Sequence, residues 1–114
     1  MHELSLAQDI LEICEAEARR NGASRITSIK ILLGDFAGVV REALEFSFEV
    51  ARAGTLADAA NLVIESVPLR TRCGTCGRQD APAIHDFSAV CANCASPVEI
   101  VAGRELRVEY VEIE

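Results

Sequence analysis

The sequence predicts an α/β (α+β) fold in which two helices pack on a three-stranded mixed sheet, with a zinc-ribbon module inserted before the last strand. Two observations carry this prediction. Apolar residues switch between helical and strand spacing along the chain, in the order helix, strand, helix, strand. Two Cys-x-x-Cys pairs then follow, ahead of a final alternating segment. We therefore expect two domains, one formed by residues 1–69 with 99–114 and the other by residues 70–98.

The first helix is predicted over residues 4–20. Its apolar positions recur at helical spacing, at Leu4, Ala7, Ile10, Leu11, Cys14 and Ala18. Ser5 and Gln8 have the spacing of an N-terminal capping box, and Gly22 is a typical residue just after a helix end. Residues 25–33 then alternate between the two faces of an extended chain and predict the first strand.

The second helix is predicted over residues 40–53. Its apolar face is expected to contain Leu44, Phe48 and Ala51, widened by Phe46 and Val50. Two further strands are predicted at residues 62–67 and 105–113. A strand–helix–strand connection is right-handed and pairs its two strands in parallel, so the last strand makes the sheet mixed.

Length and charge limit the class of function. The chain has 114 residues and a net charge of −7, whereas a nucleic-acid-binding surface needs an excess of Lys and Arg. No apolar run approaches the roughly 20 residues of a membrane span. The first residues also lack the basic start and apolar core of a signal peptide. We therefore expect a cytoplasmic protein with no nucleic-acid or membrane partner.

The strongest motif in the chain is formed by Cys73, Cys76, Cys91 and Cys94. Two Cys-x-x-Cys pairs with fourteen residues between them supply four thiolates for one tetrahedral metal ion. Four thiolates leave zinc no open position, so the site is expected to be structural. Iron in a rubredoxin-like site would use the same ligands and stays an alternative. Cys14 is interpreted as a small buried hydrophobe, and His85 as a solvated residue.

The N-terminus offers a second group of metal-binding atoms. The α-amine of Met1, the backbone amide of His2 and the His2 imidazole follow one another, and the amide of Glu3 adds a fourth nitrogen. An all-nitrogen planar set suits Ni(II) or Cu(II). Because the amide must lose its proton on binding, affinity should rise with pH. A histidine at position two also occurs by chance, and a Met-His start is a weak motif alone.

Catalytic motifs find no support in the sequence. The chain has two histidines and no recognisable Ser/His/Asp set. The glycine-containing segment at residues 34–38 lacks the lysine and the spacing of a phosphate-binding loop. We therefore expect that the protein is not an enzyme.

The chain resembles the HypA/HybF family over essentially its whole length. The resemblance is carried by the Met1-His2-Glu3 start ahead of a helix, by the segment from Gly34 to Phe48, by Gly54-Thr55, and by the cysteine ribbon before a final strand. Members are nickel metallochaperones of [NiFe]-hydrogenase maturation. The resemblance implies a carrier that delivers nickel to the hydrogenase large-subunit precursor, together with a HypB-like GTPase; some members also serve urease.

The resemblance also implies roles for individual residues. His2 would be the key nickel ligand, with the Met1 amine and the backbone of His2 and Glu3 as co-ligands. Structural Zn²⁺ would be held by Cys73, Cys76, Cys91 and Cys94. Nothing in the sequence decides the oligomeric state, and a homodimer stays open. A zinc-ribbon interaction module without nickel transfer, and a rubredoxin-like iron or redox protein, stay as alternatives.

The chain departs from the family pattern at three positions. Arg41 stands where members often have proline just before the second helix, which removes a preset helix start but touches neither metal site. Gly77 and Ala95 follow the two cysteine pairs, where some members have histidines that couple the zinc geometry to pH. We therefore do not expect that switch here.

Overall fold

The computed structural model describes residues 2–114 and contains helices, strands and one short 3-10 turn. In chain order these are α1 (Glu3–Arg20), β1 (Ile26–Gly34), α2 (Arg41–Ala51), β2 (Asn61–Val67), β3 (Arg70–Cys73), β4 (Gln79–Asp80), the 3-10 turn Ile84–Asp86, β5 (Val98–Ala102) and β6 (Leu106–Ile113). The strands form two three-stranded sheets, in the orders β2-β1-β6 and β4-β3-β5. Among the residues described, no helix is long and apolar enough to cross a membrane.

The predicted fold class is confirmed: two helices accompany a mixed three-stranded sheet, and the cysteine ribbon precedes its last strand. β1 lies in the middle of this sheet. Next to its start, Arg25 and Glu114 exchange backbone hydrogen bonds of 3.3 and 2.8 Å, as an antiparallel pair does. Ile29 and Ile31 of β1 are fully buried, because a central strand is covered on its helix side and flanked by its neighbours.

One lysine links all three strands of this sheet. The Lys30 Nζ of β1 lies 2.8 Å from Glu65 Oε1 on β2 and 3.4 Å from Glu109 Oε1 on β6. It also lies 5.8 Å from the centroid of the Tyr110 ring. Hydrogen bonding to Glu65 and then to Glu109 raises the pKa of Lys30 above its usual value. The lysine therefore stays charged and holds two edge strands to the central one.

The helices pack against one another, and their buried residues confirm most of the predicted apolar faces. Those of α1 are Ala7, Ile10, Leu11, Cys14 and Ala18, and those of α2 are Leu44 and Phe48. The predicted widening of the α2 face was wrong, because Phe46 is 71% exposed and Val50 is 55% exposed. Each lies two residues, or about 200° around the helix, from a buried position.

The start of α1 also differs from the prediction. His2 occupies the N-cap position and Glu3 is the first helical residue, so Ser5 lies inside the first turn and cannot cap it. No side chain caps this end. At the other end Gly22 adopts φ +70°, and its N–H bonds to the Arg19 carbonyl at 3.0 Å, as the sequence predicts.

The chain divides into two compact units. One comprises the chain up to Leu32 with Gly38–Glu65 and Arg107–Glu114, and the other comprises Leu33–Ala37 with Ser66–Leu106. These limits describe packing only. The assignment of residues 70–98 to a zinc-ribbon domain, and of residues 1–69 with 99–114 to a nickel-binding domain, stays a prediction.

The second unit is built on β3, which pairs antiparallel with both β4 and β5. The segment Leu33–Ala37 belongs to this unit, and the Phe36 N–H donates to the Gly103 carbonyl at 2.7 Å. The rings of Phe36 and Phe87 also meet edge to face, with centroids 5.3 Å apart. Gly103 adopts φ +111°, and a Cβ there would lie 2.7 Å from the Leu69 Cα, so only glycine fits.

Candidate metal centres

The four predicted cysteines come together at one point of the second unit. Their sulfur atoms all lie within 4.8 Å of one another. Across the two Cys-x-x-Cys pairs, the Cys73 and Cys94 sulfurs are 3.5 Å apart and the Cys76 and Cys91 sulfurs are 3.6 Å apart. Cys73 and Cys91 are buried, whereas Cys76 and Cys94 reach the surface. The cluster therefore combines an enclosed half with an accessible half.

Each Cys-x-x-Cys pair forms the same hydrogen-bonded turn. In the first, the Cys73 N–H donates to the Arg78 carbonyl at 2.8 Å, and the Gly77 N–H donates to the Cys73 carbonyl at 3.0 Å. In the second, the Cys91 N–H donates to the Ser96 carbonyl at 2.7 Å, and the Ala95 N–H donates to the Cys91 carbonyl at 2.8 Å. These matching bonds fix the backbone that carries the four sulfurs.

The residue after each pair must adopt a left-handed backbone. Gly77 has φ +77° and Ala95 has φ +61°. Glycine adopts this conformation freely, but alanine does so at a cost because of its Cβ. The sequence locates both residues, yet it does not reveal that Ala95 takes the conformation of its glycine counterpart.

Backbone N–H groups point at the sulfur atoms of the two buried cysteines. The Cys76 N–H points at the Cys73 sulfur at 3.4 Å, and the Asn93 N–H points at the Cys91 sulfur at 3.4 Å. The N–H groups of Cys76 and Thr75 lower the pKa of Cys73 to about 6. Thiolates are the form that binds metal, so the turn favours the protonation state in which this sulfur coordinates a metal ion.

The donor set fits a tetrahedral metal ion. Zinc–sulfur bonds of about 2.3 Å in a tetrahedron separate neighbouring sulfurs by about 3.8 Å, close to the distances across the pairs. Zinc and iron both accept four thiolates in this geometry. His85 is no part of the cluster: it is exposed, with its Nε2 at 3.6 Å from Asp86 Oδ2. The four cysteines thus form a metal-binding cluster.

The fifth cysteine is separate from this cluster. Cys14 is 0% exposed in the core between the helices and the sheet. Burial raises the pKa of its thiol to about 11, so it remains neutral and unreactive at physiological pH. This agrees with its interpretation as a small buried hydrophobe.

At the N-terminal site, His2 is exposed and its side chain makes no capping bond. Its carbonyl oxygen accepts a hydrogen bond from the Leu6 N–H at 3.1 Å, which starts the α1 ladder. The first N–H groups of a helix have no partner within it, and among residues 2–114 the amides of His2 and Glu3 donate no backbone hydrogen bond. Met1, the remaining member of the predicted ligand set, lies outside the described residues.

The side chain of Glu3 has a partner that the sequence did not predict. Its Oε2 accepts a hydrogen bond from the Val40 N–H at 3.4 Å. Val40 is the N-cap residue of α2, so this bond joins the starts of the two helices. No sequence spacing signals a contact between residues so far apart. One oxygen of the Glu3 carboxylate is therefore tied to the start of α2.

Comparisons with known proteins identify the family of this chain. A family model described as "Hydrogenase/urease nickel incorporation, metallochaperone, hypA" matches residues 1–113. The hydrogenase maturation factor HypA of Geobacter sulfurreducens is 43% identical over 115 residues, covering 100% of both chains. The factor of the same name from Synechococcus elongatus is 43% identical over 114 residues, covering 99% of both chains.

Solved structures show the same fold. A solution structure of a HypA protein aligns with a TM-score of 0.76 at 27% identity, covering 100% of this chain and 97% of the other. The solution structure of the Ni metallochaperone HypA from Helicobacter pylori aligns with a TM-score of 0.70 at 27% identity, covering 99% and 97%. A match along the whole length, with the cysteine cluster in place, settles the classification: the chain belongs to the HypA family of nickel-incorporation metallochaperones, which are maturation factors and not enzymes.

Proposed function

We propose that this protein carries Ni(II) at its N-terminus and delivers it to the [NiFe]-hydrogenase large-subunit precursor in the cytoplasm, with a HypB-like GTPase as its partner. His2 is the key ligand, and the Met1 amine and the backbone nitrogens of His2 and Glu3 complete a planar set. The observation that carries this proposal is an exposed histidine at the N-cap of a helix whose first amides have no role in the fold.

The helix start explains how the amides become ligands. An amide nitrogen must lose its proton to bind nickel. Loss of this proton leaves the fold intact only where the N–H donates no structural hydrogen bond. The amides of His2 and Glu3 meet this condition, because the first intrahelical bond is donated by Leu6. Nickel binding therefore leaves the α1 ladder intact.

The location of the proposed site at the N-terminal end of α1 also favours release of nickel. The N-terminus of a helix carries a partial positive charge, which disfavours a bound cation by about 0.3 to 1 kcal/mol. Glu3 in the first turn offsets part of this effect. An exposed chelate at a chain end can also be reached by an acceptor protein from several directions. A carrier needs this combination of planar binding and ready removal.

The cysteine cluster is suited to retaining a metal and not to releasing it, and we propose that it holds structural Zn²⁺. Cys73, Cys76, Cys91 and Cys94 would bind the ion, which supplies a fixed tetrahedral centre to a unit that has few buried apolar residues. With four protein ligands it has no open position for a substrate.

Nickel titration of the purified protein tests the first proposal. The wild type should bind one Ni(II) with a planar d–d absorption band, more tightly as pH rises, and His2→Ala should lose the band. His85→Ala is the matched control, because it removes the chain's other histidine from an exposed position. Equal nickel binding by wild type and His2→Ala would refute the assignment.

Acetylation of the Met1 α-amine tests the amine separately. It removes this nitrogen as a donor while keeping His2 in the chain, so the planar band should disappear or shift. An unchanged band would remove the amine from the ligand set but leave His2 in place.

Metal analysis of the protein as purified tests the second proposal. One equivalent of zinc and a colourless solution are expected. A strongly coloured protein with one iron would instead support the rubredoxin-like alternative. Zinc without nickel binding would support an interaction module.

A further inference from the structure

A cavity of about 290 Å³ lies in the second unit, beside its sheet. Thr71 of β3 and Asp80 of β4 are opposite each other in the antiparallel pair, so their side chains lie side by side on one face of that sheet. Asp86 and Ser88, which follow β4 in the chain, also line the cavity. The side chains of these residues all carry oxygen atoms that accept hydrogen bonds. The lining therefore combines hydrogen-bond acceptors from separate segments of the chain.

Thr71 is buried without a hydrogen-bond partner for its side chain. The residue is only 4% exposed, yet its hydroxyl makes no hydrogen bond within residues 2–114. No fully enclosed side-chain oxygen of those residues lacks a partner, so the Thr71 hydroxyl is open to the cavity that it lines. Buried polar groups are normally hydrogen-bonded, and an exception calls for a partner from outside the chain. The cavity thus leaves one hydrogen-bonding position to a ligand.

The segment that carries Asp86 and Ser88 is held in place by the fold. Asp86 ends the 3-10 turn, and its N–H donates a hydrogen bond of 2.9 Å within that turn. The Ser88 Oγ accepts a hydrogen bond from the Val90 N–H at 3.3 Å. Between these two residues, the ring of Phe87 meets Phe36 edge to face. These contacts fix the backbone from which both polar side chains reach the cavity, as a binding site requires.

One negative charge in the lining has no strong partner. Asp80 shares its charge with Arg78, whose Nε donates to the two carboxylate oxygens at 3.2 and 3.0 Å. Asp86 has only His85, at 3.6 Å, a distance too long for a hydrogen bond. His85 is exposed, and a histidine carries a charge only when it is protonated. The lining includes no Lys or Arg, so it favours a ligand with a single positive charge.

The rest of the lining narrows the class of ligand. Apolar side chains complete the wall, from Ala81, Pro82, Val90, Ala92 and Val98. A metal ion is a poor occupant, because the cysteine cluster is the only close group of three or more His, Cys, Asp or Glu ligands in residues 2–114. Pockets for drug-sized molecules have about 300 to 1,000 Å³, so this cavity suits a smaller group. A primary alkylammonium ion has three N–H donors on an apolar stem, which matches the acceptors and the apolar wall.

We propose that this cavity binds a primary alkylammonium group, the group that ends a lysine side chain or a free diamine. The ammonium donates to the Asp86 carboxylate, to the Thr71 hydroxyl and to one further oxygen of the lining. Its alkyl stem lies against the apolar wall. The site is distinct from both metal centres, and it requires only that the cysteine ribbon is folded.

Small molecules test the class of ligand, titrated into the zinc-loaded protein and followed by amide chemical shifts. The probe is Nα-acetyl-lysine-N-methylamide. The norleucine analogue keeps the alkyl stem but lacks the ammonium, and Nε-acetylation of the probe removes its charge. The probe should shift the amides of Thr71, Asp80 and residues 86–90, and each neutral analogue should bind at least tenfold more weakly. Equal binding of the probe and the norleucine analogue would overturn the assignment of an ammonium ligand. No binding by the probe, or shifts confined to other surfaces, would overturn the site itself.

Two further titrations separate related ligands. 1,5-Diaminopentane carries the same ammonium and stem without a peptide backbone. Tighter binding of this diamine would identify a free amine as the ligand, whereas tighter binding of the probe would identify a protein side chain; either result supports the alkylammonium site. Displacement of the probe by an equimolar amount of Ca²⁺ would overturn it, because the cavity would then be a metal site.

Variants of the protein test the lining. Thr71→Val removes the hydroxyl at nearly constant volume and should weaken binding of the probe about tenfold. Because this hydroxyl has no partner in the protein, the Tm of the variant should equal or exceed that of the wild type. A lower Tm with unchanged binding of the probe would show a structural hydroxyl and contradict the proposal.

The carboxylate is tested by Asp86→Asn, which removes the charge and keeps the shape of the side chain. This variant should also bind the probe about tenfold more weakly. Asp58→Asn is the matched control, since it makes the same change at an exposed aspartate of the first unit and should leave the affinity unchanged. Equal affinities of the two aspartate variants would refute the role of Asp86.

Discussion

The left-handed backbone at Ala95 leads to a prediction about the stability of the cysteine cluster. Ala95 follows the second Cys-x-x-Cys pair at φ +61°, in the position that Gly77 occupies after the first pair. We expect Ala95→Gly to stabilise the metal-bound protein, because glycine carries no Cβ to oppose this conformation. The hydrogen bond from residue 95 to the Cys91 carbonyl uses only backbone atoms and is retained.

The size of the effect follows from two opposing terms. An L-residue in the left-handed region costs about 1 to 2 kcal/mol. Glycine loses more conformational entropy on folding than alanine does. This loss offsets about 0.4 to 1 kcal/mol of the stabilisation. The net stabilisation should therefore be about 0.5 to 1 kcal/mol. Because folding of the ribbon and metal binding are coupled, this corresponds to a roughly two- to fivefold gain in zinc affinity.

Two measurements test the prediction for Ala95→Gly. One is zinc affinity, determined by competition with a chelator, and the other is thermal unfolding of the zinc-loaded protein. Gly77→Ala is the same exchange in reverse and should have the opposite sign, costing about 0.5 to 1 kcal/mol. Ala92→Gly and Gly74→Ala are matched controls in the same turns, since neither residue has a positive φ; the first should weaken zinc binding slightly and the second should not. An Ala95→Gly protein with unchanged or lower zinc affinity would refute the reasoning.

Three further predictions concern the packing. Gly103→Ala should lower the free energy of unfolding by about 3 kcal/mol, since the new Cβ meets the Leu69 backbone at a positive φ; an unchanged Tm would contradict this. Lys30→Gln should lower the urea midpoint, and less so at 1 M salt, because the carboxylates of β2 and β6 lose their shared cation. For Cys14 the folded state holds the proton more tightly than the unfolded state, so its contribution to stability is full below about pH 9 and is lost as pH rises toward about 11. Cys14→Ala should lack that part of the decline, and in the native wild type this thiol should not react with a thiol reagent at pH 8.

The sequence predicts the cysteine cluster well because metal ligation is a local constraint. Two cysteines three residues apart can reach one ion only through a tight turn, and two such turns need only meet. The order of helices and strands is likewise read from short periodic patterns. These features depend on neighbours in the chain, and the structure confirms them within one or two residues.

Features that depend on distant neighbours escaped prediction. Phe46 and Val50 have the chemistry of core residues, but only the packing of α2 decides which of its faces is buried. The contact of Phe36 with Phe87 and the bond from Val40 to Glu3 join segments far apart in the chain, and neither has a sequence spacing that signals it. Local patterns predict the secondary structure of each segment, whereas the contacts between segments depend on the tertiary fold.

The two candidate metal sites differ in the way that storage and transfer require. In the cysteine cluster, backbone hydrogen bonds within each turn fix the positions of the sulfurs, so release of a metal would require the turns to open. At His2 the proposed ligand nitrogens are not used by the helix ladder, whose first bond is donated by the Leu6 N–H to the His2 carbonyl. A metal held by atoms that the fold also needs is retained as long as the fold persists. A metal held by atoms that the fold does not need can leave without unfolding anything, and in the proposed function this separation is what allows one ion to be kept while another is passed on.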